Sequence, residues 1–229
     1  MMAITLNGLV LDDMLSAVHE QHEEVGGRDV RTIDVSGLIL GEPSLEAIET
    51  RLDAVLDAAS AVDYAAALSV RPGRRLMVRR AAFRREIERN TLVGSFKLRL
   101  EARDPFEEAE QAIEVPWTIS ETPSALMLTS SGSVFALPVI TLTAQATLVT
   151  PMISDGERSI QYDGVVSAGA VIAFDAVQAK VYLEGEDVTP YALGEFPRIG
   201  PGETTLTYTG PPESTHQAAG TVTFRERWW

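Results

Sequence analysis

The three histidines of the chain are the first place to look for chemistry. His19 and His22 lie in the segment HEQHEE together with three glutamates. A zinc peptidase of the HExxH type needs two imidazoles four residues apart on one helical face, and the spacing here is three. We therefore interpret the segment as a solvated acidic loop and predict no metal site.

The sequence also lacks the motifs that usually mark nucleophilic catalysis or cofactor binding. His216 lies in the loop-like segment PPESTHQAAG, and no GxSxG elbow, GxGxxG loop or GxxxxGK[ST] loop occurs. The absence of cysteine excludes disulfides, thiolate nucleophiles and iron–sulfur clusters. Among 33 acidic residues some pair could hydrolyse glycosides, so a carboxylate hydrolase stays open as the lowest-ranked alternative. We expect that the protein is not an enzyme and that it binds no cofactor.

Charge is distributed in three blocks along the 229 residues. Residues 1–70 hold 13 acidic and 3 basic side chains, residues 71–103 hold 3 acidic and 11 basic, and residues 104–229 hold 17 acidic and 5 basic. The net charge of −14 disfavours non-specific binding of nucleic acid. No apolar run is long enough to span a membrane.

The basic block has three possible interpretations. It is a solvated face, or a surface complementary to acidic surface on another copy or a partner, or, as a third choice, a nucleic-acid groove. The third is weakest because no aromatic residues alternate with the arginines as a stacking platform requires. The candidate residues for a subunit interface are Arg74, Arg75, Arg79, Arg80, Lys97 and Arg99.

The first half of the chain predicts several strands and one helix. An apolar stripe with spacings of three and four predicts a helix over residues 44–60, with Ser44 as its N-cap. Strict alternation over residues 92–103 predicts a strand whose outer face is basic. Residues 3–11, 30–40, 64–70 and 74–80 predict further strands, and residues 12–29 a loop or hairpin ending at Gly26-Gly27.

The second half predicts short strands without a helix. We place the domain boundary at 112/113, because residues 105–116 are acidic and show little strand pattern. Turn signals such as Asp155-Gly156 separate β-rich runs, which favours an antiparallel sandwich. The runs are 134–143, 146–153, 158–163, 170–175, 179–184, 204–209 and 219–227. Pro138 predicts an edge strand or a bulge, and the last strand is expected to pack a tryptophan of FRERWW into the sandwich.

Five segments follow one another in an order that is typical of one protein family. They are ILGEPSLEAIETRLDAVL (39–56), FKLRLEARDPF (96–106), SSGSVFALPVITLT (130–143), GEFPRIGPGETTLTYTG (194–210) and TVTFRERWW (221–229). In these features the chain resembles the distal tail proteins of long-tailed, siphovirus-type bacteriophages. The resemblance covers most of the chain, although the lectin signature of histidine and arginine is absent from residues 117–229.

The resemblance implies a mainly β fold with one α-helix. Residues 1–112 would be a ring-forming β-sandwich with a helix, and residues 113–229 a galectin-like antiparallel β-sandwich. The family forms a hexameric ring that connects the tail tube to the baseplate or tail tip around the DNA channel. This implies a structural virion protein at the distal end of the tail, assembled in the host cytoplasm. Its expected partners are further copies of itself, the tail tube protein, the tape measure protein and the baseplate hub or tail-tip proteins.

A ring around DNA also suggests which carboxylates face the channel. Acidic side chains in the wall let DNA slide without specific binding, since they repel phosphate. The candidates in the 12–29 segment, which would face the channel or the next ring, are Asp12, Asp13, Glu20, Glu23 and Glu24.

The main alternative is a carbohydrate-binding module or lectin-like adhesion protein. Such a protein stacks sugars on aromatic side chains that are exposed on one sandwich face. The candidates here are Trp117, Tyr191, Trp228 and Trp229.

Overall fold

The computed structural model describes residues 3–25, 28–60, 66–102 and 104–229. The expected turn at Gly26-Gly27 and the ends of two expected strands, at residues 64–65 and 103, lie outside the described residues. The chain divides into two units. Unit 1 comprises Met1–Glu110 and Trp229, and unit 2 comprises Gln111–Trp228.

Unit 1 is built from strands and one α-helix. Its elements are β1 (Thr5–Leu6), β2 (Leu9–Val10), β3 (Leu15–Val25), β4 (Arg28–Ile39), α1 (Leu45–Ala58), β5 (Ala66–Ser69), β6 (Arg74–Glu88), β7 (Val93–Ala102) and β8 (Glu107–Ala109).

The strands of unit 1 pair in the order β2-β1-β5-β6-β7-β4-β3, with β8 beside the start of β6, and every pair is antiparallel. The long strand β6 joins the two halves of this sheet and shifts register between Arg80 and Ala82. Apolar side chains from both halves and from α1 form one core. Leu6 and Leu68 come from one half of the sheet, Leu98 from the other half and Leu52 from α1, and all four are buried.

Helix α1 confirms the sequence prediction for residues 44–60. The Ser44 hydroxyl accepts a hydrogen bond from the Ala47 backbone N–H at 3.2 Å and so caps the first turn. The buried side chains of Ile48, Leu52 and Val55 repeat at helical spacing and face the core.

Strand β7 confirms the alternation of residues 92–103. Phe96, Leu98 and Leu100 are buried, and the residues between them point outward. Gly94 shares the inward face, where a Cβ would lie 2.5 Å from Ile48 Cγ2, so this glycine lets α1 approach the sheet.

Three segments of unit 1 differ from expectation. The HEQHEE segment is not a loop but part of β3, which pairs with β4 along its length. Strand β6 continues eight residues past the expected end at residue 80, to Glu88. Residues 105–116, which show little strand pattern, contain β8 and the first residues of the next strand. The outer part of β3 and the end of β6 lack alternating apolar residues because much of their surface faces solvent, and β8 is only three residues long.

Unit 2 begins with that next strand and contains fourteen strands and a short 3₁₀ turn at Thr189–Tyr191 in its described residues. The strands are β9 (Ile113–Ile119), β10 (Ser124–Ser130), β11 (Val139–Ala144), β12 (Leu148–Val149), β13 (Met152–Ser154), β14 (Ser159–Tyr162), β15 (Val165–Val166), β16 (Val171–Asp175), β17 (Lys180–Leu183), β18 (Glu186–Asp187), β19 (Ala192–Gly194), β20 (Gly202–Thr209), β21 (Ala218–Phe224) and β22 (Arg227–Trp228).

Two antiparallel sheets carry most of unit 2. One has the order β10-β20-β13-β14-β19 and the other β18-β17-β16-β11-β21-β9. Their inward side chains share one core, to which Leu206 and Tyr208 contribute from the first sheet and Ile140 and Phe174 from the second. The expected antiparallel β-sandwich is confirmed.

Two prolines mark strand positions in the second sheet. Pro138 precedes β11, which pairs with β16 on one side and β21 on the other, so the expectation of an edge strand there is wrong. The proline lies outside the ladder and removes no hydrogen bond from it. Pro116 instead lies exposed on β9, an edge strand of this sheet.

No helix within the described residues has the length and apolar character needed to cross a membrane.

Candidate subunit-contact surface

The outer face of unit 1 is the side of β6, β7, β4 and β3 that points away from the core. Cross-strand pairing arranges its side chains in rows. One row contains Ala82, Arg99, Asp34 and His19, and the next contains Arg84, Lys97 and Ser36.

Arg99 binds Asp34 within the outer face. Its Nε donates to Asp34 Oδ1 at 2.8 Å and its Nη2 donates to Oδ2 at 2.9 Å, a bidentate pair between strands that are neighbours. The hydrogen bonds from Arg99 lower the pKa of Asp34, and the same contact raises the pKa of Arg99. Arg99, a candidate for the subunit interface, is thus neutralised by its own chain.

Most of the other interface candidates are also bound locally. Arg80 Nη1 donates to the Ser60 hydroxyl at 2.7 Å. The remaining three arginines each have a carboxylate on a neighbouring strand: Arg74 with Glu107 at 3.8 Å, Arg75 with Glu108 at 2.7 Å and Arg79 with Glu101 at 3.2 Å. The basic block of the sequence is therefore largely matched by acids that are distant in sequence.

Lys97 and Arg84, in contrast, are basic side chains of the outer face that no carboxylate of the described residues binds. They face each other directly across β6 and β7, both are exposed, and neither has a carboxylate partner among the described residues. Like charges placed directly opposite destabilise a strand pair. Beside them lies an open depression of about 530 Å³ that the small side chains of Ser36 and Ala82 help to line. This place can accept an anionic group. Arg84 was not among the sequence candidates, since only the strand register shows its position.

Three of the five expected channel acids are used inside unit 1. Asp12 Oδ1 accepts a hydrogen bond from the Ile4 backbone N–H at 2.7 Å. Asp13 forms an ion pair with Arg51, and this contact raises the pKa of Arg51. Glu20 Oε2 accepts from Arg31 Nη2 at 2.6 Å. These contacts fix loops and strands and leave Glu23 and Glu24 as exposed candidates.

Glu23 and Glu24 lie on what we call the hairpin arm, residues 22–25 and 28–30. The arm extends beyond the last pair between β4 and β7, Arg31 with Ala102. Glu24 lies directly opposite Asp29, and Glu23, one residue earlier, points to the other face. Glu23, Glu24 and Asp29 are exposed and form no ion pair with another described residue. The arm thus carries a second pair of like charges.

A buried charge network lies where the arm leaves the sheet. Arg31 is 1% exposed and Glu107 is 3% exposed, and Arg31 Nη2 donates to Glu107 Oε1 at 2.9 Å. Arg31 Nη1 also donates to the Pro105 carbonyl at 3.2 Å, and Arg71 donates to Glu107 from the surface. This network was not predicted from the sequence. The available signal was that Arg31 has the same strand parity as the buried Ile33.

The histidines of β3 do not converge on a metal. His19 and His22 are three residues apart on a strand, so they point to opposite faces. Within the described parts of the chain, no three histidine or carboxylate side chains are grouped closely enough to hold a metal ion.

The terminal tryptophan packs differently from expectation. The Trp229 ring lies edge-on to Phe106 with 4.7 Å between ring centroids, and 6.0 Å from the His22 ring. Trp229 therefore belongs to unit 1 and not to the core of the second sandwich. Its contact with His22 lies at the base of the hairpin arm.

The aromatic candidates for sugar stacking differ in how far they are exposed to solvent. Trp117 is 3% exposed and its Nε1 donates to the Ser124 hydroxyl at 3.3 Å, so it is a core residue. Tyr191 is 62% exposed. A stacking platform that includes Trp117 is excluded by this burial.

Three of the segments that carry the family resemblance meet around Phe135 in unit 2. Arg198, from the Phe-Pro-Arg-Ile segment, places its guanidinium carbon 4.2 Å from the Phe135 ring centroid. Arg227, from the last segment, lies 5.6 Å from the same centroid and donates to the Phe135 carbonyl at 3.3 Å. Cation–π contacts of this kind join segments distant in sequence.

The loop before Arg198 is fixed by Asp155. Its carboxylate accepts hydrogen bonds from the backbone N–H groups of Glu157, Arg158 and Arg198 at 2.6 to 2.9 Å. Burial alone would raise the pKa of Asp155, but the three N–H donors outweigh it and the pKa is lowered.

A comparison with known protein families finds a match for the part of the chain that contains these contacts. Residues 131–228 match the family model SPP1_Dit, described as the siphovirus-type tail component, C-terminal domain. This part of the chain is therefore similar to the C-terminal domain of siphovirus-type tail components. The matched residues include Phe135, Arg198 and Arg227, so the contacts around Phe135 lie within the matched region.

The fold of the chain also matches a solved structure along its whole length. The crystal structure of the SPP1 Dit (gp 19.1) protein aligns with a TM-score of 0.67 and 14% sequence identity, covering 99% of each chain. That protein is described as a paradigm of the hub adsorption apparatus in phages that infect Gram-positive bacteria. No curated protein sequence matches the chain. The whole chain thus shares the fold of the SPP1 Dit protein, and residues 131–228 match a domain of siphovirus-type tail components.

Proposed function

We propose that this protein is the distal tail protein of its virion and forms a hexameric ring that connects the tail tube to the baseplate or tail tip. The observation that carries the proposal is the agreement of the whole fold with the SPP1 Dit protein, together with the family match of residues 131–228. We assign the protein a structural role in which shape and subunit contacts, not catalysis, provide the function.

The proposed ring has defined neighbours. Further copies of the chain close the ring, the tail tube and tape measure proteins lie on one side, and the hub or tail-tip proteins lie on the other. The net charge of −14 suits a channel through which DNA passes without specific binding. Assembly would take place in the host cytoplasm.

The mass in solution tests the ring directly. Six copies of a 24.8 kDa chain give about 149 kDa, which native mass spectrometry separates easily from smaller oligomers. Electron microscopy of the same sample, with and without tube and tip proteins, would show an annular particle. Particles without an annulus in the presence of these partners would contradict the proposal.

The channel wall can be tested separately through Glu23. This residue is exposed on the hairpin arm without an ion-pair partner among the described residues. We expect the Glu23→Lys variant to slow DNA ejection while the ring still assembles, because lysine would bind passing phosphate groups. The matched control is Glu49→Lys on α1, which makes the same charge change at another exposed position. Ejection at the wild-type rate would reject Glu23 as a channel residue.

A further inference from the structure

We propose that neighbouring copies in the ring are joined by two like-charged pairs: Glu24 and Asp29 of one copy dock against Arg84 and Lys97 of the next. This inference rests on the proposed ring and names the contact that sets its register. From the broad basic block it selects Arg84 and Lys97, the two cations that face each other across neighbouring strands.

Each pair is unfavourable in an isolated chain. Glu24 lies opposite Asp29 across β3 and β4, and Arg84 lies opposite Lys97 across β6 and β7. Directly opposite like charges repel each other, whereas other charged pairs of this sheet, such as Arg99 with Asp34, are complementary. Bringing the acidic pair against the basic pair relieves both repulsions together.

The two pairs cannot meet within one copy. Asp29 and Ser36, which pairs with Lys97, are seven residues apart on β4, about 23 Å at the rise of an extended strand. Asp29 also has the inward parity of Ile33, whereas Lys97 lies on the outer face. A contact between them therefore joins different surfaces of two copies. Such head-to-tail contacts are the type that closes a ring.

The shapes of the two surfaces fit this contact. The hairpin arm extends past the end of β7, so its acidic pair is presented beyond the body of the sheet. The basic pair borders the open depression of about 530 Å³, where Ser36 and Ala82 leave room for incoming side chains.

A second copy fits the basic pair better than DNA does. Glu86 and Glu101 lie on the same outer face, two residues from Arg84 on β6 and four residues from Lys97 on β7. A nucleic-acid backbone running along the face would meet these carboxylates as well as Asp34. Two carboxylates at the tip of an arm cover less of this face than a nucleic-acid backbone does, and Asp34, which also lines the depression, is already bound by Arg99.

Two charge-reversed variants test the contact. One carries Glu24→Lys and Asp29→Lys, and the other carries Arg84→Glu and Lys97→Glu. Each variant alone places like charges across every subunit contact, and we expect ring association to weaken about 10-fold or more. In a mixture, the lysine arm of the first faces the glutamates of the second, and the acidic arm of the second faces the cations of the first. Rings should therefore return with the two variants alternating, three copies of each.

Native mass spectrometry reads this result from the masses of mixed rings, with tube and tip proteins added if the wild type needs them to close. Rescue in the mixture also shows that both variants are folded. The control Glu49→Lys with Asp57→Lys changes the charge of α1 as much as the first variant does, and its rings should form as in the wild type.

Other outcomes show whether the proposed contact or the proposed ring is wrong. Rings of wild-type stability from either variant alone, or random mixing of the two, would overturn the contact and leave the proposed function standing. Intact rings with faster DNA ejection in the Arg84→Glu and Lys97→Glu variant would assign the basic pair to the channel, because the two cations would then have held passing phosphate groups, and this result also overturns the contact. A wild type that forms no ring with its tail partners would reject the proposed function.

Discussion

The buried pair Arg31–Glu107 holds the base of the hairpin arm, and the Arg31→Met variant tests this role. Methionine keeps much of the length of the arginine side chain and removes the charge. The substitution leaves the Glu107 carboxylate, 3% exposed, without its buried partner and frees the Pro105 carbonyl.

Breaking a buried ion pair by removing one partner costs about 3–5 kcal/mol. Arg71 and Arg74 remain near Glu107, although their side chains are partly exposed, so we expect the lower end, about 3 kcal/mol. Since domains are stable by about 5–15 kcal/mol, this is a large share of the stability of unit 1. The double variant Arg31→Met with Glu107→Met should cost at least about 1 kcal/mol less than the sum of the two single variants, because no uncompensated charge remains.

Urea denaturation gives the free energies, and hydrogen-exchange mass spectrometry assigns them to units. Peptides from β3 and β4 should exchange about 100-fold faster in Arg31→Met, and peptides from β16 and β20 should be unchanged. The control Arg79→Gln breaks the exposed pair with Glu101 and should cost less than about 1 kcal/mol. Arg31→Met with the stability of the wild type, or with equal losses in both units, would refute the reasoning.

Three further predictions concern local structure. Ser44→Ala removes the N-cap of α1 and should lower the free energy of unfolding by about 1 kcal/mol in urea. Gly94→Ala places a Cβ 2.5 Å from Ile48 Cγ2 and should cost about 1–3 kcal/mol, seen as a lower melting temperature. The lowered pKa of Asp155 stabilises unit 2 above the ordinary value of 3.8, and this contribution is lost as the pH falls through the folded-state pKa. Thermal unfolding between about pH 2 and pH 6 should therefore depend less on pH in Asp155→Asn.

Elements with a buried face could be predicted from the sequence. The alternation around Phe96 and Leu98 predicted β7, and the stripe through Ile48 and Leu52 predicted α1, because burial of one face imposes a period on the sequence. The second sandwich was predicted for the same reason, with turn residues between its strands.

Elements whose side chains face solvent on both sides could not be predicted in this way. The outer half of β3 and the last part of β6 are long strands with exposed, charged side chains, and no apolar period marks them. Their pairing is set by neighbouring strands instead, as in the ladder from Arg79 to Glu88 along β7.

The residues of the candidate surface could likewise be predicted only in part from the sequence. The sequence identified a basic block, but it could not separate Arg99, neutralised by Asp34, from Lys97, which has no carboxylate partner among the described residues. Arg99 and Asp34 are 65 residues apart, and only the strand register brings them together. Two of the expected channel acids, Asp13 and Glu20, were likewise found in ion pairs that sequence spacing does not show.

Pro116 has a consequence for copies that are held close together. An edge strand with a continuous row of free N–H and C=O groups can extend its sheet into a neighbouring molecule and start a fibre. Proline has no N–H and disfavours such pairing on an edge strand. With Pro116 in the middle of β9, this edge of unit 2 is a poor template for pairing with a neighbouring molecule, even where many copies are crowded together.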